Sequence, residues 1–224
     1  MADRNIEVNV ELPDVVMVLL DRIHHFYPIG LPYFNEMHNG YKQLRKILED
    51  KINNVIANDI PNPCKDFIRK VERDFKNFEI SNRLHRQFPN YSFSVKLVDE
   101  TLNGVQNICS LNIKISLLSK HFTVYYEDLY IFKEHLIARH TPINFKILSS
   151  ANFTADPERA YLNKMIEIIK SSFFDHEYVH HKILFSYPVE GGTPYGINAE
   201  SKSIYPLYFY LFDNDIIYEN YKVV

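Results

Sequence analysis

An α+β fold is predicted, with N-terminal helices packed on an antiparallel β-meander, a later helix and a C-terminal β-hairpin. Three observations predict it. Apolar residues recur at helical spacing in the first part, the period changes to two after Pro89, and Asn103-Gly104 marks a tight turn between two alternating segments. One domain over 1–224 is expected, mainly helical over 1–88 and mainly antiparallel sheet over 89–224. No repeat, low-complexity tract or linker-like shift in composition divides it.

The elements follow in order. Ile6, Val8 and Val10 alternate as a short edge strand would. Pro13 opens a helix at its first turn, where a missing N–H costs nothing; the helix carries Val16, Leu19, Leu20 and Ile23 and stops before Pro28 and Gly30. Tyr41, Leu44, Leu48, Ile52 and Val55 form the apolar stripe of a second helix. Asn62-Pro63 supplies the cap and first turn of a third, with Phe67, Val71, Phe75 and Phe78 inward. Tyr91, Phe93, Val95 and Leu97 alternate with Ser92, Ser94 and Lys96, which reads as a half-buried strand. The return strand holds Leu111, Ile113, Ile115 and Leu117, and a third holds Phe122, Val124 and Tyr126. A short helix is expected over 129–140 and a strand over 145–148. Asp156-Pro157 caps a helix with Leu162, Met165, Ile166, Ile169 and Phe173 on one side. Strands at 183–187 and 205–212 complete the chain, around a loop containing Gly191-Gly192-Thr193-Pro194-Tyr195-Gly196 that suits a hairpin connection or contact loop.

Hydrophobic residues make up 46% and charged residues 24%, which places the chain among globular proteins rather than disordered ones. There are 16 Tyr and 16 Phe but no Trp, an excess that suits half-buried sheets and contact surfaces. Two cysteines, Cys64 and Cys109, make no C-x-x-C, which argues against a thiolate metal site and fits a reducing compartment. Asp3, Arg4 and Glu7 do not belong in a signal peptide, and the apolar run at 15–20 is too short to span a bilayer. A cytoplasmic protein without membrane contact is expected.

The formal charge of −3 is concentrated at the C-terminal end. From residue 183 onward, Lys202 and Lys222 face Glu190, Glu200, Asp213, Asp215 and Glu219. A nucleic-acid binder needs the opposite bias, so a nucleic-acid partner is not expected. An acidic, aromatic end suits a protein partner, with a basic toxin domain as the candidate.

His176-Glu177-Tyr178-Val179-His180 is a literal H-E-x-x-H. On a helix it would set two zinc-binding imidazoles one turn apart, with Glu177 as general base and Glu200 at a spacing that resembles the third ligand of thermolysin-like zinc peptidases. Its flanks depart from that pattern at Lys182 and His181, and Val179, Ile183, Phe185 and Tyr187 alternate as in a strand. In extended chain, residues four apart lie about 13 Å from each other, too far to share an ion easily. The preferred reading therefore ends the helix near Phe174 and puts 176–181 in a turn and strand start. No metal, cofactor or catalytic residue is assigned, and a zinc-dependent hydrolase is the alternative.

Weaker constellations add no chemistry. His24, His25 and His38 have no ligand-type spacing, and Glu127-Asp128 is an ordinary acid pair. The glycine loop lacks the order of a phosphate-binding motif, and there is no Gly-x-Ser-x-Gly elbow.

Small cytosolic α+β chains of this texture look like bacterial toxin-immunity proteins, which inhibit a toxin by covering its active surface. The resemblance is one of character: it covers no definable stretch and transfers no residues. It implies a non-enzymatic binding protein, and the face expected to meet the partner is Tyr195, Tyr205, Tyr208, Tyr210, Asp213, Asp215 and Glu219.

Overall fold

A computed structural model describes residues 12–31, 35–132, 143–150, 157–197, 204–215 and 220–224. Pro13 precedes helix α1 (Asp14–Phe26), whose Val16, Leu19, Ile23 and Phe26 are buried. The Tyr27 N–H closes it on Ile23 O, and Pro28 cannot continue it. Helix α2 (Asn39–Ile56) buries Tyr41, Leu44, Leu48 and, on the same stripe, Lys51. Its start crosses the end of α1 so closely that a Cβ on Gly40 would lie 1.7 Å from His25 O, which leaves glycine as the residue that fits. Helix α3 (Asn62–Asp74) has Pro63 in its first turn and buries Cys64, Phe67 and Val71.

The predicted meander is present. Strands β1 (Glu79–Asn82), β2 (Asn90–Leu102), β3 (Val105–Ser116), β4 (His121–Phe132) and β5 (Ile143–Ser149) pair antiparallel in sequence order. Asn103 and Gly104 both have positive φ, 51° and 77°, and join Leu102 to Val105 in a two-residue turn. Helix α4 (Pro157–Ser172) follows. Beyond it, β6 (Glu177–Tyr178) runs parallel to the first residues of β4, and the last strand, β9 (Tyr221–Val223), runs parallel to β5.

The sheet is covered on both faces. One face carries Tyr91, Phe93, Val95, Leu111, Ile113, Phe122 and Val124 against Phe67 and Val71 of α3, Phe75 just past its end, and Met165, Ile169 and Phe173 around α4. Each such side chain contributes about 1.5–3 kcal/mol by leaving water. The other face meets α1, α2 and the C-terminal segment, with Tyr125 and Leu148 in that core. Ser92, Ser94, Asn112, Lys114, Ser116 and Thr123 share this second face and are buried too. The strands were expected to be half-buried with a solvated polar side; the returning C-terminal segment covers that side.

Four local expectations need correction. Residues 183–187 are not a strand: 183–186 belong to helix α5 (His181–Ser186) and Tyr187 follows its end, because the His180 ring accepts the Lys182 N–H and caps a helical turn. Residues 205–212 form two strand residues, β8 (Tyr205–Pro206), followed by helix α6 (Leu207–Leu211). Pro206 supplies φ −62° before α6, and all five α6 residues are buried, so no polar stripe marks its period. Residues 129–132 belong to β4, where Tyr130 pairs with Phe145, and the rest of that expected helix lies outside the described residues. Phe78 lies beyond the end of α3 rather than on its stripe. The C-terminal hairpin is present as β7 (Pro188–Val189) paired antiparallel with β8. The strand expected around Ile6 lies outside the described residues.

Candidate functional site

The H-E-x-x-H string is not on a helix. Helix α4 ends at Ser172, and Glu177-Tyr178 is strand β6, with the Glu177 N–H donating to Lys120 O (2.9 Å) and the Val179 N–H to Phe122 O (2.8 Å). His176 Nδ1 lies 2.8 Å from Asp175 Oδ1. His180 Nδ1 accepts the Lys182 N–H at 3.1 Å, so in the neutral ring the proton sits on Nε2 and leaves that nitrogen no lone pair for a metal. Among the described residues, no group of three or more His, Cys, Asp or Glu side chains converges as metal ligands would, and Glu200 lies outside them. The string stitches β6 to β4 and caps α5.

The expected C-terminal face is mostly interior. Tyr205, Tyr208, Tyr210 and Asp213 are 5%, 1%, 0% and 2% exposed. On a strand Tyr208 and Tyr210 would have shared one side, opposite Leu207, Phe209 and Leu211; the buried helix α6 takes both tyrosines inside. Glu219 lies outside the described residues. Tyr195 and Asp215 remain partly accessible.

Asp213 is the centre of a buried polar network. Lys114 Nζ lies 2.6 Å from its Oδ2 and also donates to Ser92 Oγ at 2.8 Å. Asn90 Nδ2 donates to Asp213 Oδ2 (3.2 Å), and the Tyr208 hydroxyl donates to Oδ1 (3.2 Å). The Tyr125 and Tyr208 hydroxyls share a hydrogen bond of 3.0 Å. Burial pushes the Asp213 carboxyl up, but the Lys114 charge and these donors outweigh it and hold the group below its ordinary value. Two residues on, Asp215 is raised by burial and by the Asp213 charge, against the pull of Arg86 and Arg83, with which it is ion-paired. Nearby, Lys51 Nζ donates to the carbonyls of Arg86 (2.7 Å), Phe88 (3.1 Å) and Asn90 (2.8 Å). Burial lowers its pKa to about 8. Asp213 and Asp215, two of the acids expected to form a surface patch, are therefore paired with cations of the same chain.

An open cleft of about 630 Å³ lies beside this network. Tyr41 and Tyr195 contribute to its wall, with ring centroids 6.0 Å apart, and Arg45, Glu36, Gln87 and Asn214 supply polar groups. The Tyr195 loop is anchored at two points: the Gly30 N–H donates to Gly191 O (2.8 Å), and Asn35 Nδ2 donates to Thr193 O (3.1 Å). Gly191 and Gly196 adopt φ +81° and +79°, the left-handed turns that let the loop fold back on itself. Phe88 forms part of the same wall while its carbonyl holds Lys51, so the cleft is tied to the buried network. It offers the partly exposed Tyr195 ring, backed by the buried Tyr41, with a guanidinium, a carboxylate and amide groups on fixed elements, a composition suited to contact.

Of the residues expected from sequence, the structure places Tyr195 in this cleft and Asp215 on the segment behind it. Tyr41 and Arg45 could be read only as the inner and outer positions of helix α2. Nothing local in the sequence signals that a loop 150 residues later closes over them. No family model, curated protein or solved structure matches this chain.

Proposed function

We propose that this chain is a non-enzymatic protein-binding protein of the immunity type, which neutralises a cognate toxin by covering its active surface. The observation that carries the proposal is the anchored Tyr195 loop facing Tyr41 and Arg45. Tyrosine offers a large, rigid contact area with only two side-chain torsions to immobilise, and fixing the loop beforehand reduces the entropy cost of binding. Cys64 and Cys109 are buried thiols that are not joined in a disulfide, which is consistent with a reducing cytoplasm. Among the described residues, no helix is long and apolar enough to cross a membrane.

Two of the C-terminal acids expected to attract a basic partner are already paired within the chain. Asp213 faces Lys114, and Asp215 faces Arg83 and Arg86. In the cleft wall Arg45 stands with Glu36, and Asp215, next to the lining residue Asn214, is paired with Arg83 and Arg86, which favours a partner surface of mixed charge with exposed aromatic and amide groups.

Tyr195→Ala and Arg45→Glu are each expected to weaken the complex by about tenfold or more, equivalent to about 1.4 kcal/mol, while leaving the melting temperature close to wild type. Calorimetric titration of the partner measures this. Wild-type affinity in both variants would remove the cleft from the interface.

A further inference from the structure

Just after helix α4 the chain displays its most exposed large apolar side chain among the described residues. Phe173 turns inward onto Phe67 and Tyr91, while its neighbour Phe174 is 89% exposed. The turn that holds the Phe174 ring outward is pinned. The His176 N–H donates to Phe173 O (3.0 Å), Asp175 Oδ1 lies 2.8 Å from His176 Nδ1, and Asp175 Oδ2 lies 2.8 Å from Lys120 Nζ. The Phe174 ring forms part of the wall of a cleft of about 520 Å³, whose other lining residues include Tyr91, Leu117, Leu118 and Phe173, with Arg22 and Lys120 among its polar groups. It shares no lining residue with the tyrosine cleft.

We propose that Phe174 and this cleft form a self-complementary surface through which two copies of the chain pair about a two-fold axis, each Phe174 entering the other's cleft. A two-fold interface uses one patch twice, so projection and receptacle must lie together on a single surface, as they do here. The charges are compatible with this pairing: Lys120 is neutralised by Asp175 within the chain, which leaves Arg22 in the cleft wall and the nearby exposed Glu177 as one charge of each sign. Val18, exposed one turn before Arg22 on α1, extends the apolar area on that side of the helix. A foreign partner would need a receptacle for Phe174; a second copy already has one.

Sedimentation equilibrium of the full chain from about 5 to about 200 µM tests the pairing. The wild-type mass should rise with concentration towards twice 26.5 kDa. Phe174→Asp, at a position whose side chain supports no core packing, should weaken association about tenfold or more with an unchanged circular dichroism spectrum. Amide exchange provides a second readout: protection at 116–120 and 172–176 should increase with wild-type concentration and not in the variant. A constant 26.5 kDa mass, or a dimer that Phe174→Asp leaves intact, would overturn the proposal. So would uptake of Phe174 by a different protein while the chain itself stays monomeric. Tyr195→Ala should leave this self-association unchanged, which keeps its failure separate from that of the toxin-binding reading.

Discussion

Asp213→Ala is expected to lower unfolding free energy by about 3–5 kcal/mol, the usual loss when one partner of a buried ion pair is removed. Lys114 and Asp213 are 2.6 Å apart and both buried, and neither reaches water if the other is lost. The substitution would also leave Asn90 Nδ2 without its acceptor and the Tyr208 hydroxyl without its carboxylate. Lys114→Met should cost a similar amount. The double variant should lose clearly less than the sum of the two, because no isolated charge remains. Urea unfolding of all four proteins gives the cycle. A loss under about 1 kcal/mol for Asp213→Ala would mean that this carboxylate is solvated and that the C-terminal segment does not lie over the sheet as described.

Acid should weaken the fold as pH falls below about 6.5. Burial, followed by the charge of neighbouring His180, holds the His181 pKa at about 4, against an ordinary value of 6.5. His121 is lowered in the same direction, by burial first. The unfolded chain takes up these protons as pH falls through about 6.5, and the native chain does not, so stability is full above pH 6.5 and declines towards pH 4. For His181 alone the loss approaches about 3 kcal/mol at the lower end. Against the His181 ring lie His180, stacked at 4.6 Å, and Tyr125 at 5.9 Å; Lys182 acts on it as a further nearby charge. His181→Phe, which keeps a ring and removes the titration, should flatten the pH dependence of the urea midpoint over this range. An unaltered slope would assign the acid sensitivity to other groups.

The regular parts of the fold were legible because their periods are clean. The α4 stripe and the β2–β3–β4 alternation follow a single apolar face, and Asn103-Gly104 supplies two residues tolerant of positive φ. The C-terminal part was not legible for the opposite reason. Leu207–Leu211 is apolar or aromatic throughout and buried throughout, so strand and helix leave the same composition. The polar rows of β2 and β3 carried a similar ambiguity. Ser92 and Lys114 look solvated until Asp213, about a hundred residues later, folds over them. The candidate site depends on such distant closures. Tyr195 stood out by its glycine-rich loop, whereas Tyr41 and Arg45 became visible only once α2 and that loop met. The H-E-x-x-H string shows the converse: a motif has its chemistry only in its backbone context, and β6 is extended.

Binding without turnover is tested most directly by titrating the cognate partner's activity with this chain, with and without a chelator, and then recovering both proteins intact. Loss of partner activity that is complete at one-to-one stoichiometry, unaffected by chelator and reversed by Arg45→Glu, is the expected result. Chelator-sensitive cleavage of the partner at substoichiometric amounts of this chain would contradict it and return the function to His176, Glu177 and His180.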